Sequence, residues 1–175
     1  MDSSKRKRMR LEGFDYNQNG AYFLTLCSKD RKAMFSSIVG RGILDAPVTK
    51  LTSLGKCVEN SIDYINQHSD NLKIDHYVVM PNHVHLLVSV QRLESDAAGM
   101  YGVSNRHPAE AVIPKLISPL KRYTNRACGI ELWQSGYYDH IIRDERDYRV
   151  RWEYIYSNPA RWAEDEYYHV YDGVH

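Results

Sequence analysis

The chain has 175 residues, 43% of them hydrophobic, enough for one compact core and too little for two comfortable domains. With 23 Lys and Arg against 22 Asp and Glu the formal net charge is +1, so no global basic field announces a polyanion and any such surface must be local. Cys27, Cys57 and Cys128 are far apart, odd in number and without CxxC spacing, which argues against a disulfide framework and a thiolate zinc site and fits a reducing, cytoplasmic setting.

Residues 1–18 are polar and carry the cluster KRKRMR at Lys5 to Arg10. They read as a basic N-terminal arm, either a solvated tail or a phosphate contact, ahead of one domain over 19–175. The arm is not followed by a signal-peptide core, and no apolar run approaches the ~20 residues of a membrane span. A soluble, unsecreted protein with no membrane partner is expected.

AYFLTLC, Ala21 to Cys27, is rich in β-formers and follows the turn pair Asn19-Gly20, so it predicts a strand. From Leu51 the residues Leu51, Leu54, Val58, Ile62 and Ile65 recur at helical spacing and predict an amphipathic helix. KIDHYVVM and HVHLLVSV are β-type runs separated by Pro81-Asn82, a hairpin-like pair. Residues 91–107 lack periodicity and read as a surface loop. A second helix is expected over about 109–127, kinked or split at Ser118-Pro119 and ended at Cys128-Gly129. ELWQSGYYDHII reads as an irregular strand. Asp144 opens a last helix through DERDYRVRWEYIYSN, stopped by Pro159. This order predicts an α+β fold of ferredoxin-like layout, an antiparallel sheet with helices on one face, plus an added C-terminal helix. The fold alone does not name a function.

Within MPNHVHLLV, His83 and His85 stand two residues apart on a predicted strand, hence on one face and roughly 7 Å apart, where two imidazoles can converge on a metal ion. Val84, Leu86 and Val88 point the other way. Two half-buried histidines on a solvated face are the alternative, and a third ligand would decide between the two. On a helical wheel of ~100° per residue, Tyr148, Trp152 and Ile155 form an expected core stripe. Tyr154 and Asn158, one turn apart, form a second stripe displaced from it. A phenol and a carboxamide there can serve as nucleophile and third, oxygen, ligand; packing and helix termination are the bland alternatives.

MPNHVHLLV, together with WQSGYYDHIIRDERDY, EYIYSNP and the opening MRLEGFDYNQNGAYFLTLCSKDRKAMF, resembles the HUH single-tyrosine transposases, especially those associated with REP elements. The resemblance implies that His83 and His85 bind a divalent metal, Mg²⁺ or Mn²⁺, that Asn158 completes the site, and that Tyr154 is the nucleophile, with Tyr156 facing away. It implies a DNA transposase or endonuclease that cleaves and rejoins single-stranded or hairpin DNA through a 5′-phosphotyrosine link. It also favours a monomer over a homodimer. Lys121, Arg122, Arg126, Arg143, Arg146, Arg149 and Arg151 are candidate phosphate contacts, and Trp133, Tyr137 and Tyr138 candidate stacking platforms for bases. A non-catalytic ferredoxin-like nucleic-acid-binding module and a metal-dependent hydrolase that activates water are the competing classes.

Overall fold

The computed structural model describes residues 20–40, 46–90 and 112–168. The expected basic arm and the 91–107 loop lie outside them. In chain order the elements are β1 (Gly20–Cys27), β2 (Ser36–Val39), β3 (Val48–Leu51), α1 (Ser53–His68), β4 (Leu72–Val79), β5 (His83–Val90), α2 (Val112–Cys128), β6 (Tyr138–Ile142) and α3 (Glu145–Ser157). A four-stranded sheet runs in the order β4-β5-β1-β6, each neighbouring pair antiparallel. With α1 and α2 as its two crossovers, this is the ferredoxin-like layout expected from the sequence.

Alternation along the strands makes two different faces. Tyr22, Leu24 and Leu26 of β1 and Val84, Leu86, Val88 and Val90 of β5 point to one side. There they join Val58 and Ile62 of α1 and Ile113, Leu116, Ile117 and Leu120 of α2 in the main core. The opposite face carries Phe23, Val78 and Leu87 and is covered by α3 through Ile155. The added helix therefore lies across the sheet from α1 and α2. Because strand side chains have a period of two, His83 and His85 fall on the α3 face.

Local chemistry explains where the elements start and stop. Leu51, expected to open α1, instead ends β3, and the helix begins after Thr52, whose Oγ1 accepts a hydrogen bond from Gly55 N at 3.1 Å. The β2–β3 pair was not expected: four-residue strands with one alternating face give almost no periodic signal. α2 runs through Pro119 as one helix instead of splitting. It is followed by Gly129 at φ 68°, a left-handed position suited to glycine. Within ELWQSGYYDHII the strand ladder is confined to Tyr138–Ile142, and Trp133 forms only an isolated bridge to Ser28.

α3 begins where expected. Asp144 caps it by accepting from Asp147 N at 2.8 Å. It ends at Ser157, just before the expected stop at Pro159, but the chain does not leave helical geometry there. The chain tightens into a 3₁₀ turn over Asn158–Glu164, where proline sits in the first turn and its missing N–H costs no intrahelical bond. One member of the expected core stripe also departs from it: Trp152 is 40% exposed and stacks on His76 of β4 at 4.2 Å, while Ile155 is buried.

Candidate active site

His83 and His85 are essentially inaccessible, at 0% and 1% exposure, and their Nε2 atoms face each other at 3.0 Å. Their outer nitrogens have partners. Asn82 donates through Nδ2 to the Tyr167 carbonyl at 2.7 Å and to the Arg31 carbonyl at 3.2 Å, so its Oδ1 accepts from His83 Nδ1 at 2.9 Å. That bond leaves the His83 Nε2 lone pair free. His85 Nδ1 lies 2.9 Å from Thr25 Oγ1 on the neighbouring strand. The proton between the two Nε2 atoms therefore belongs to His85, and with that proton carried on Nδ1 toward Thr25 Oγ1 both Nε2 atoms could serve as ligands of a cation.

Burial keeps both imidazoles neutral. It pushes His83 down to about 4, opposed by the Asp165 carboxylate and aided by Arg31. It pushes His85 well below its usual value too, with further lowering from His83 and Arg151. Neutral imidazole is the metal-binding form.

Tyr154 of α3 lies over this pair. Its ring is 5.3 Å from that of His85 and 5.8 Å from that of Phe23. Burial raises the phenol pKa, as do Asp165 and Glu166, while the Asn158 side chain and Arg151 pull it down. Tyr156, two residues on, is 79% exposed and faces away. Asn158 is 2% exposed; its Nδ2 donates to Asp165 Oδ2 at 3.1 Å, and its Oδ1 is buried without a hydrogen-bond partner. A buried amide oxygen without a partner, on a side chain bonded to Asp165, whose carboxylate lies by both neutral imidazoles, fits a divalent cation.

Asp165 was missed by the sequence reading. One of its oxygens and a nitrogen from each of His83 and His85 lie within 4.8 Å of one another, a set of ligand atoms able to hold a metal ion. Seven residues beyond Asn158 and past an apparent helix stop, it had no periodic relation to the Tyr154 stripe. Tyr167, 5% exposed, closes the site from the same segment, its ring 4.7 Å from His83, and Trp162 adds a ring at 5.9 Å.

The basic candidates separate. Arg151 reaches the site: its guanidinium sits 5.3 Å over the Phe23 ring and its Nε is 3.4 Å from Asp147 Oδ1. Asp147 is held in turn by His140 Nε2 at 2.8 Å. Arg143, Arg146 and Arg149 are exposed on or beside α3, with Arg149 paired to Glu145. Lys121 turns inward and donates to the carbonyls of Gln134 and Gly136, and burial lowers its pKa to about 8. Arg122 and Arg126 are exposed on α2, the helix packed on the opposite face of the sheet from the histidines. Two of the expected stacking platforms are core residues instead. Trp133 is 7% exposed, packs on Phe35 and donates Nε1 to Thr124 Oγ1, and Tyr137 is buried in the same cluster. Tyr138 alone is partly open.

No protein-family model matches the chain. A Haemophilus influenzae protein described as uncharacterized is 27% identical over 173 residues, covering 93% of each chain. The REP-associated tyrosine transposase of Escherichia coli K12 is 22% identical over 147 residues, 83% of this chain and 70% of that one. Among solved structures, a REP-associated tyrosine transposase bound to a REP hairpin superposes with a TM-score of 0.58 at 21% identity, over 90% of this chain and 77% of that one, which shows a shared fold. Matched in sequence along most of its length and in fold, the chain is a relative of the REP-associated tyrosine transposases.

Proposed function

We propose that this protein is a metal-dependent single-strand DNA transposase or endonuclease that cuts and rejoins DNA at hairpin-associated sites through a 5′-phosphotyrosine intermediate. The observation that carries the reading is the Tyr154 ring 5.3 Å from His85, with Asn158 beside the phenol, all within one chain. A divalent cation, Mg²⁺ or Mn²⁺, held by His83, His85 and Asn158 supplies Lewis-acid polarisation of the scissile phosphate.

The residues divide the remaining work. The Tyr154 oxygen attacks phosphorus and the P–O3′ bond breaks; the phenol proton is balanced by the one the departing 3′-oxygen takes up. The phosphodiester energy stays in the tyrosyl ester, so a 3′-hydroxyl can reverse the step without a nucleotide cofactor. Arg151, fixed by Asp147 and His140, offers its guanidinium to the phosphate oxygens and favours the phenolate. Arg143 and Arg149 extend the basic surface along α3. The hairpin named with the solved relative supports a hairpin substrate here. A site completed by residues of one chain supports action as a monomer.

A denaturing gel of the protein with an end-labelled hairpin oligonucleotide and Mn²⁺ separates the competing classes. The proposal predicts a protein-linked label and a free 3′-hydroxyl fragment. Cleavage with no linked species identifies a hydrolase, and retention without cleavage identifies a binding module. Mixing a His83→Ala chain with a Tyr154→Phe chain tests the monomer: activity restored in the mixture means that helices are exchanged between subunits.

A further inference from the structure

We infer that Asp165 is itself a ligand of the metal, so that the cation is held by two imidazoles and a carboxylate together with the Asn158 amide oxygen. This deepens the metal-dependent reading and rests on it.

Asp165 places a carboxylate oxygen within 4.8 Å of a ring nitrogen of each of the two buried imidazoles, His83 and His85, whose own nitrogens are equally close to each other. Its hydrogen-bond partners are neutral donors: Asn158 Nδ2 to Oδ2 at 3.1 Å and Tyr167 N to Oδ1 at 2.8 Å. A partly buried carboxylate facing an apolar and aromatic enclosure calls for a positive charge. With the His85 proton on Nδ1 toward Thr25, both Nε2 lone pairs and the buried, unpartnered Asn158 oxygen would supply a cation's remaining donors.

The set has a chemical consequence. Two imidazoles and an amide oxygen are all neutral ligands, whereas adding a carboxylate binds any divalent ion more firmly, and the imidazoles then favour Mn²⁺ and similar metals over Mg²⁺. Asp165 also lies on the segment that carries Tyr167 across the site, so the ion would tether that segment to the strand of the histidines. A purely positional role is the rival: Asp165 would then only orient Asn158 and cap the turn at Tyr167.

Asp165→Asn removes the charge and keeps an oxygen for Tyr167 N but loses the acceptor of Asn158 Nδ2, so it is read beside Asn158→Ala, which gives the most that an orienting role alone could cost. Mn²⁺ binding is followed without DNA by the loss of the free-ion electron paramagnetic resonance signal. The ligand role predicts an affinity drop of at least roughly 10–100-fold and larger than that of Asn158→Ala; a loss no larger than that of Asn158→Ala overturns the inference. Binding within about twofold of the parent chain overturns the inference. Should Asp165→Asn fail to fold, Asp165→Cys decides: with Cd²⁺ a ligating thiolate gives an ultraviolet charge-transfer band absent from the parent, and no band in a folded chain overturns it. A parent chain that binds no Mn²⁺ overturns the metal reading itself, whereas metal binding without a DNA adduct leaves Asp165 standing and removes the transposase reading.

Discussion

At the scale of single residues, the chemistry depends on one oxygen and two nitrogens. Tyr154→Phe deletes the oxygen from a half-buried ring that keeps its contacts with Phe23 and His85. It is expected to change stability by about 1 kcal/mol or less and to abolish adduct formation, while Tyr156→Phe at an exposed position leaves both unchanged; urea titrations and denaturing gels check this. Thr25→Val removes the partner of His85 Nδ1 and is expected to weaken Mn²⁺ binding by roughly 10–100-fold, read by titration calorimetry. The buried histidines also set a pH dependence in the metal-free chain. Their folded pKa values lie below the usual 6.5, His83 near 4, so between those values the unfolded state binds more protons. Stability is full above about 6.5 and falls as pH drops toward 4, by on the order of 1–3 kcal/mol at most from His83, with His85 acting in the same direction. Urea midpoints that stay flat over that window would contradict the buried, neutral pair.

At the scale of elements, the site exists because a period of two meets a period of 3.6. β5 turns its valines and Leu86 toward α1 and α2 and its histidines toward α3, and α3 presents Tyr154, Arg151 and Asn158 along one flank while Ile155 packs between Phe23 and Leu87. These relations were legible because long strands and helices repeat their pattern. The turn after Asn158 was not: Pro159 signals a stop when read locally, yet it fits the first turn of a 3₁₀ continuation that delivers Asp165 and Tyr167. Trp152 and Trp133 show the same limit from the other side. The helical wheel placed Trp152 in the core although the edge of β4 offers it only His76, and the absence of periodicity around Trp133 made a core residue look available for stacking. The β2–β3 pair rests on a further close contact: a Cβ at Gly55 would lie 2.0 Å from the Phe35 carbonyl oxygen. Gly55→Ala is therefore expected to lower stability by roughly 1–3 kcal/mol through displacement of backbone that cannot rotate away. A urea midpoint equal to the parent's would contradict that packing.

At the scale of the whole molecule, a net charge of +1 means that recognition of DNA must come from a face and not from the average field. Under the proposed function that face is the α3 side, where Arg151 sits over Phe23 and Arg143 and Arg149 are exposed on or beside the helix, and it is opposite Arg122 and Arg126. Replacing Arg151 by Gln should therefore reduce hairpin binding and cleavage far more than Arg122→Gln, and fluorescence anisotropy at fixed salt checks the first effect. Equal losses for the two would mean that both faces touch the substrate. No helix among the described residues is long and apolar enough to cross a membrane.

The central claim is that the Tyr154 phenol becomes esterified to DNA. Tandem mass spectrometry of the tryptic peptide Trp152 to Arg161, after reaction with a short hairpin oligonucleotide and Mn²⁺, tests it most directly, since that peptide holds both Tyr154 and Tyr156. The account predicts a 5′-phosphonucleotide on Tyr154 alone. The same mass on Tyr156, or an unmodified peptide beside cleaved DNA, would contradict it.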